Sequence, residues 1–195
     1  MKIIGGKYRN RLLKAPKGVK TRPTLAILRK AVFDMLQPVI VDAHFLDLFA
    51  GSGLMGLEAL SRGAAKATFI DSDRAAVRCI EENVKLLSLK QQANIYCCDA
   101  LSALQISAKK HIAFDIIYID PPYQLSQTTP ILKEILLFLE THPLLNPGGI
   151  VMVEESSPAT LPIPELPLTA LRYDNTRKFS DSLLHKYQFV AGEAP

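Results

Sequence analysis

Cysteine is scarce and badly placed for either of its structural uses. The 195 residues hold three, Cys79, Cys97 and Cys98, with no C-x-x-C pair, and the four histidines do not cluster beside them. Neither a disulfide framework nor a zinc site is indicated, and a reducing compartment fits best. Long hydrophobic runs are missing too. Nothing approaches the ~18 consecutive apolar residues that a membrane span needs. The opening Met1-Lys-Ile-Ile-Gly-Gly-Lys-Tyr-Arg9 turns polar too early for a signal-peptide core. A soluble cytoplasmic chain is expected, and with 48% apolar residues it is long enough for one substantial core and short for two.

Acid is absent from the first 33 positions, which carry ten basic residues: Lys2, Lys7, Arg9, Arg11, Lys14, Lys17, Lys20, Arg22, Arg29 and Lys30. The other 162 residues carry 13 basic and 19 acidic side chains, so the mild net charge of +4 divides into a +10 segment and a −6 body. A solvated tail is the plain reading of a basic run. Here Ile3, Ile4, Tyr8, Leu12 and Leu13 interrupt the charges and Gly5-Gly6 offers a turn. The pattern suggests a small strand pair presenting lysine and arginine on one face. Residues 1–23 are read as a basic arm and 24–195 as the main domain. A phosphate backbone is the partner that such a surface fits, with Lys7, Arg9, Arg11, Lys14 and Arg22 as candidate contacts.

After Arg22-Pro23, Thr24 can cap a helix whose apolar positions Leu25, Leu28, Ala31, Val32, Met35 and Leu36 recur at helical spacing, and Pro38 stops it. Short apolar runs then alternate with helical patterns. Strands are predicted at 45–49, 67–70, 94–97, 114–119 and 150–153, with helices at 54–62, 73–88, 100–106 and 128–140. Strands separated by helices imply right-handed crossovers and a mostly parallel sheet covered on both faces, a doubly wound α/β domain. The proline-rich stretch 158–167 cannot enter a sheet interior. Two further strands, 168–173 and 183–190, have no helix between them and predict an antiparallel hairpin closing the sheet.

Between the first strand and the first of the alternating helices lies Asp47-Leu-Phe-Ala-Gly51-Ser-Gly53-Leu-Met-Gly56, where glycine lets a ligand approach the backbone. Asp71 follows twenty residues after Gly51 at the end of the second strand, placed for ribose hydroxyls. Together they indicate a nucleoside cofactor without saying which. Asp47 favours a ligand bearing an ammonium group over a pyrophosphate, which its charge would repel. Asp99, at the end of the third strand, is placed to accept from an adenine amino group, the reading favoured because three acids at successive strand ends converge on one crevice; the alternative is a cap on the helix that follows.

The most specific signal is Asp115-Ile-Ile-Tyr-Ile-Asp120-Pro121-Pro122-Tyr123, a buried strand that stops at two prolines. Proline removes backbone donors and fixes an extended turn, so the Asp120 carboxylate and the Pro121 carbonyl can face one way. Two acceptors and no donor suit an exocyclic amino group on a base, and Tyr123 offers a stacking face. Holding both N–H bonds frees the nitrogen lone pair for in-line attack on a methyl group. Positioning then supplies most of the rate.

These motifs resemble the S-adenosylmethionine-dependent methyltransferases of exocyclic amino groups. Ile3-Ile-Gly-Gly-Lys-Tyr-Arg9, Thr21-Arg-Pro-Thr24 and Gly56-Leu-Glu-Ala-Leu-Ser61 narrow the resemblance to the RsmD family, which methylates guanine N2 in bacterial 16S ribosomal RNA. The resemblance runs from residue 3 to about 155 and implies a seven-stranded, mostly parallel, Rossmann-like class I methyltransferase sheet. S-adenosylmethionine is the implied cofactor, its contacts falling on Asp47, Phe49, Gly51, Ser52, Gly53, Gly56, Asp71, Ser72, Asp99 and Ala100. Asp120, Pro121, Pro122 and Tyr123 become the catalytic turn, with no metal. The implied substrate is 16S ribosomal RNA of the guanine-966 class, within a partly assembled 30S particle and acted on by a monomer. Asn10 and Tyr173-Asp-Asn-Thr176 depart from the family pattern, each standing where glycine is expected. The alternatives are a DNA adenine-N6 or cytosine-N4 amino-methyltransferase, a nicotinamide-dependent oxidoreductase on the same loop, and a silent RNA-binding module.

Overall fold

Alternation of side-chain direction along continuously apolar strands decides the layers. The computed structural model describes residues 1–15, 23–122, 125, 130–142, 144–156, 166 and 168–190. Its elements are α1 (Pro23–Leu36), β1 (His44–Asp47), α2 (Leu54–Ser61), β2 (Lys66–Asp71), α3 (Arg74–Leu86), β3 (Ala93–Cys97), α4 (Ala100–Lys109), β4 (Phe114–Ile119), α5 (Ile131–Thr141), β5 (Leu145–Ser156), β6 (Leu171–Phe179) and β7 (Ser182–Phe189). Phe45, Ile116, Tyr118, Ile150 and Met152 point to one side of the sheet, into a core shared with α1, α2 and α3. Leu46, Ile117, Ile119, Val151 and Val153 point to the other, against α4 and α5. Successive side chains in a strand face opposite ways, so one continuous apolar run feeds both cores. Each buried Leu, Ile, Val or Phe contributes about 1.5–3 kcal/mol.

The seven described strands lie in the order β3-β2-β1-β4-β5-β7-β6. Pairs β1–β2, β1–β4, β2–β3 and β4–β5 are parallel, while β7 runs antiparallel to both β5 and β6. The mostly parallel sheet and its closing hairpin are as expected. The order reverses at β1, so β1 and β4 are neighbours, and the crevice above their carboxyl ends is where a doubly wound sheet takes its ligand. No helix among the described residues is long and apolar enough to cross a membrane.

Boundaries depart from the sequence reading where tertiary pairing overrides local pattern. Helix α1 starts at Pro23 rather than after a cap at Thr24, because proline, with its fixed φ and missing donor, is well suited to a first helical position. Helix α4 runs on to Lys109, and β5 begins at Leu145, which pairs with Phe114 across a bulge. Strand β6 is displaced to Leu171–Phe179 and bulges between Tyr173 and Asn175, within the segment that departs from the family pattern. The prolines at 158, 162, 164 and 167 fall outside the described residues, as do Lys17, Lys20 and Arg22.

The amino-terminal segment corrects the expected strand pair. It closes on itself through a single bridge, Lys2 to Leu12, with Gly6 and Asn10 in the left-handed region. Asparagine tolerates that conformation better than other side chains, so Asn10 does the work of the expected glycine. More extensive pairing is forgone because the backbone bonds α2 instead. Ile4 N–H donates to Glu58 Oε2 (2.9 Å), Lys7 N–H to the Ser61 carbonyl (2.7 Å) and Tyr8 N–H to Ser61 Oγ (2.9 Å). Ile3 and Leu13 enter the main core.

Candidate active site

Strand β1 ends in Asp47, which is buried and accepts the Gly56 N–H at 3.2 Å. Burial pushes its carboxyl up to about 7; the Gly56 bond opposes the shift and the negative charge of Asp71 adds to it. The loop that follows turns on Gly51 (φ 55°) and Gly53 (φ 76°), backbone that side chains adopt at a cost. No atom lies within 4 Å of where a Gly51 Cβ would sit, so the conformation and the room for a ligand, not packing, demand glycine there. At Gly56, in the first turn of α2, a Cβ would lie 2.3 Å from Phe69 Cε1, which is why α2 can press against β2 only with glycine there.

Asp71 ties this loop down. Its Oδ2 accepts the Gly51 N–H and its Oδ1 the Asp73 N–H, both at 2.8 Å. Each carboxylate oxygen keeps a lone pair for a ligand. Asp99 takes the capping role that was its alternative reading: Oδ1 accepts the Ser102 N–H at 2.9 Å, and this bond holds its carboxyl below the usual range. Ser72 is exposed at the end of β2, and Ala100 is buried at the start of α4.

A cavity of about 210 Å³ opens above β1 and β4 and brings Asp47, Phe49, Gly51 and Ser52 together with Asp120. The other predicted cofactor residues, Gly53, Gly56, Asp71, Ser72, Asp99 and Ala100, do not line it. Pro121 is buried, and the Pro122 carbonyl accepts the Leu125 N–H at 2.8 Å. Tyr123 lies outside the described residues.

Apolar side chains fill part of the remaining wall, and three polar residues that the sequence reading missed line it too: Arg29 of α1, Tyr118 of β4 and Glu154 of β5. The Tyr118 hydroxyl donates to Glu154 Oε2 at 2.6 Å and Ser182 Oγ donates to Oε1 at 3.0 Å. Arg29 is 6% exposed and donates from a terminal nitrogen to the Lys2 carbonyl (2.9 Å), with Nε 3.6 Å from Glu58. A signal for Glu154 was present, since it is a further acid at the carboxyl end of a buried run. Arg29 was hidden among the charges of the basic segment.

Acid crowding sets the electrostatics. The Asp120 carboxyl is driven well above the ordinary range, first by burial, then by Glu154 and Asp47. As a residue Asp120 is exposed at the cavity mouth, so solvent screens the carboxyl and leaves only the upward direction of the shift. Burial likewise raises Glu154, against its bonds from Tyr118 and Ser182. Burial also pushes the Tyr118 hydroxyl up, reinforced by Glu154 and Asp120, so it remains a donor. Three carboxyls in one small cavity make a site for cations and hydrogen-bond donors. Among the described residues no cluster of metal-ligating side chains occurs.

Of the basic candidates, Lys7, Arg9 and Arg11 are exposed. Lys7 Nζ lies 5.4 Å from the Tyr8 ring centroid, and Lys14 Nζ is paired with Glu82 at 2.8 Å on the surface. The segment reaches the site directly, because Met1 lines the cavity and Ser52 Oγ donates to its sulfur at 3.7 Å.

A mostly parallel sheet in this order, with its glycine loop after β1 and an acid-lined cavity over β1 and β4, is a class I methyltransferase fold. A family model described as Conserved hypothetical protein 95 matches residues 1–187. Ribosomal RNA small subunit methyltransferase D of Escherichia coli K12 is 39% identical over 162 residues, 83% of this chain and 78% of that protein. YlbH of Bacillus subtilis, named as a candidate rRNA methyltransferase, is 37% identical over 83% of this chain and 86% of its own length. The solved structure of Escherichia coli yhhF, named as a candidate methyltransferase, superposes with a TM-score of 0.84 at 35% identity, over 98% of this chain and 99% of that one. The chain belongs to this family, which is the RsmD family that the motifs resemble.

Proposed function

We propose that the protein transfers a methyl group from S-adenosylmethionine to the exocyclic N2 of a guanine in small-subunit ribosomal RNA, of the guanine-966 class. One observation carries the reading: Asp120, at the diprolyl end of β4, shares a single acid-lined cavity with Asp47 and the glycine loop. The donor would supply an electrophilic methyl on a sulfonium; the N2–C bond forms as the C–S bond breaks, sulfur keeps the electron pair, and the alkylated N2 gives up a proton to the Asp120 carboxylate and from there to water. Asp47 pairs with the donor's ammonium, while Phe49, Gly51, Ser52 and Gly53 leave room for its methionine end, and Gly56 anchors Asp47. Asp71 and Ser72 meet the ribose, and Asp99 and Ala100 the adenine, using lone pairs that loop-tying and capping leave.

Asp120 and the Pro121 carbonyl accept both N2 hydrogens, Pro122 stiffens the turn and Tyr123 stacks on the base. Holding acceptor and donor in line lowers the barrier through orientation. The base reaches the cavity unpaired or flipped, because N2 inside a helix is shared with cytosine. Residues 1–23 serve the 24–195 domain as its RNA arm, with Lys7, Arg9, Arg11, Lys14 and Arg22 on phosphates. The chain acts as a monomer on a partly assembled 30S particle in the cytoplasm. Labelled S-adenosylmethionine incubated with such particles, naked 16S RNA and DNA tests this. Label in the RNA that maps to N2-methylguanine is expected. Label in DNA alone, or in nothing, overturns it.

A further inference from the structure

We infer that Glu154 reads the target base: its carboxylate accepts the N1–H of a guanine whose N2 amino group is held by Asp120. The inference rests on the methyl-transfer reading above and assigns the base edge that the site recognises. Strand register carries it. Asp47 pairs with Tyr118 and Tyr118 with Met152, so the three form one row across β1, β4 and β5. Ile119 pairs with Val153, which brings the next positions, Asp120 and Glu154, side by side at the carboxyl ends of their strands. Alternation places them on the face of Tyr118 and Met152, about 4.8 Å apart along the backbone spacing of a sheet. Both line the same cavity.

Two carboxylates on neighbouring strands, both facing one cavity, match guanine and no other base. Guanine offers N1–H and N2–H as adjacent donors on one edge. Adenine and cytosine place a ring lone pair beside their amino group, and that lone pair would face a carboxylate. Selection by such repulsion is stronger than selection by fit alone. Glu154 is also held still. Its bonds from Tyr118 and Ser182 leave one lone pair on each oxygen and fix the side chain between β4, β5 and β7. A purely structural acid would not need to line the cavity beside Asp120, where their mutual repulsion raises its neighbour's proton affinity. Arg29 lines the same wall but directs its guanidinium to Glu58 and the Lys2 carbonyl, which leaves the Glu154 carboxyl to meet a ligand donor.

The test replaces the target guanine by 2,6-diaminopurine, which keeps the N2 amino group and carries a lone pair at N1. Wild-type protein should prefer guanine by about 100-fold in kcat/KM. In Glu154→Gln the amide can donate to N1, so the preference should fall below about tenfold. An unchanged ratio in the variant, with guanine still methylated by the wild type, overturns the role of Glu154. Methylation of neither base by the wild type would instead sink the methyl-transfer reading. If the variant turns over neither base, equilibrium binding of the two RNAs to both proteins gives the same ratio without chemistry, with unfolding and S-adenosylmethionine binding measured alongside.

Discussion

Asp47→Asn should make the ligand-free protein more stable and worse at its task. Asp47 is 1% exposed, and its carboxyl moves from the ordinary 3.8 to about 7 on folding. The folded state therefore holds this proton more tightly than the unfolded chain, so stability falls as pH rises from about 4 through about 7 and the loss is complete above that. At 1.36 kcal/mol per pH unit, the full cost of ionising Asp47 in the folded protein is roughly 4 kcal/mol. About 2.7 kcal/mol of it develops between pH 5 and pH 8. Asparagine carries no charge to desolvate, and its amide oxygen can still accept the Gly56 N–H. Urea unfolding followed by circular dichroism at both pH values should show the wild type losing about 2.7 kcal/mol relative to the variant over that interval. Titration calorimetry should show S-adenosylmethionine binding weakened about 10- to 150-fold, the worth of one charged hydrogen bond. Parallel pH dependence in the two proteins would refute the burial argument, and unchanged affinity would refute the ammonium contact.

Asp120→Ala should cost about 100- to 1,000-fold in turnover while S-adenosylmethionine affinity stays within a few-fold; activity within a few-fold of wild type would remove Asp120 from the chemistry. Because burial and neighbouring carboxyls raise the Asp120 carboxyl, the wild-type rate should climb with pH through a value above the ordinary aspartate range, as the proton that turns the acceptor into a donor is lost. Asp120→Asn keeps an acceptor oxygen and should lose that acid limb in a pH–rate profile. Gly56→Ala drives a Cβ into the buried Phe69 ring and should cost about 1–3 kcal/mol in a denaturant titration. Charge reversal at Arg9 and Arg11 should weaken RNA binding in a filter or anisotropy assay and leave S-adenosylmethionine affinity near normal; equal loss of both would make the arm purely structural.

The sheet, its layers and the diprolyl turn were legible in the sequence because their determinants are local. Short apolar runs in the strands, helical spacing between them, glycine where the loop needs positive φ and proline where a strand must stop all act within a few residues. The acids at strand ends could be found for the same reason. Whether each acid meets a ligand or its own backbone was not local: Asp99 caps α4 and Asp71 anchors Gly51, outcomes set by how strand and helix ends are juxtaposed. The basic segment reads as paired strands by composition. Glu58 and Ser61, more than fifty residues away, take its backbone donors instead. Glu154 and Arg29 entered the cavity only through register and the docking of α1. Sequence patterning thus decided which elements form and which residues stand at their ends, since backbone sterics and side-chain spacing are properties of neighbours in the chain. Tertiary structure decided which of those ends share a cavity, since a parallel sheet joins strands that the sequence separates by dozens of residues.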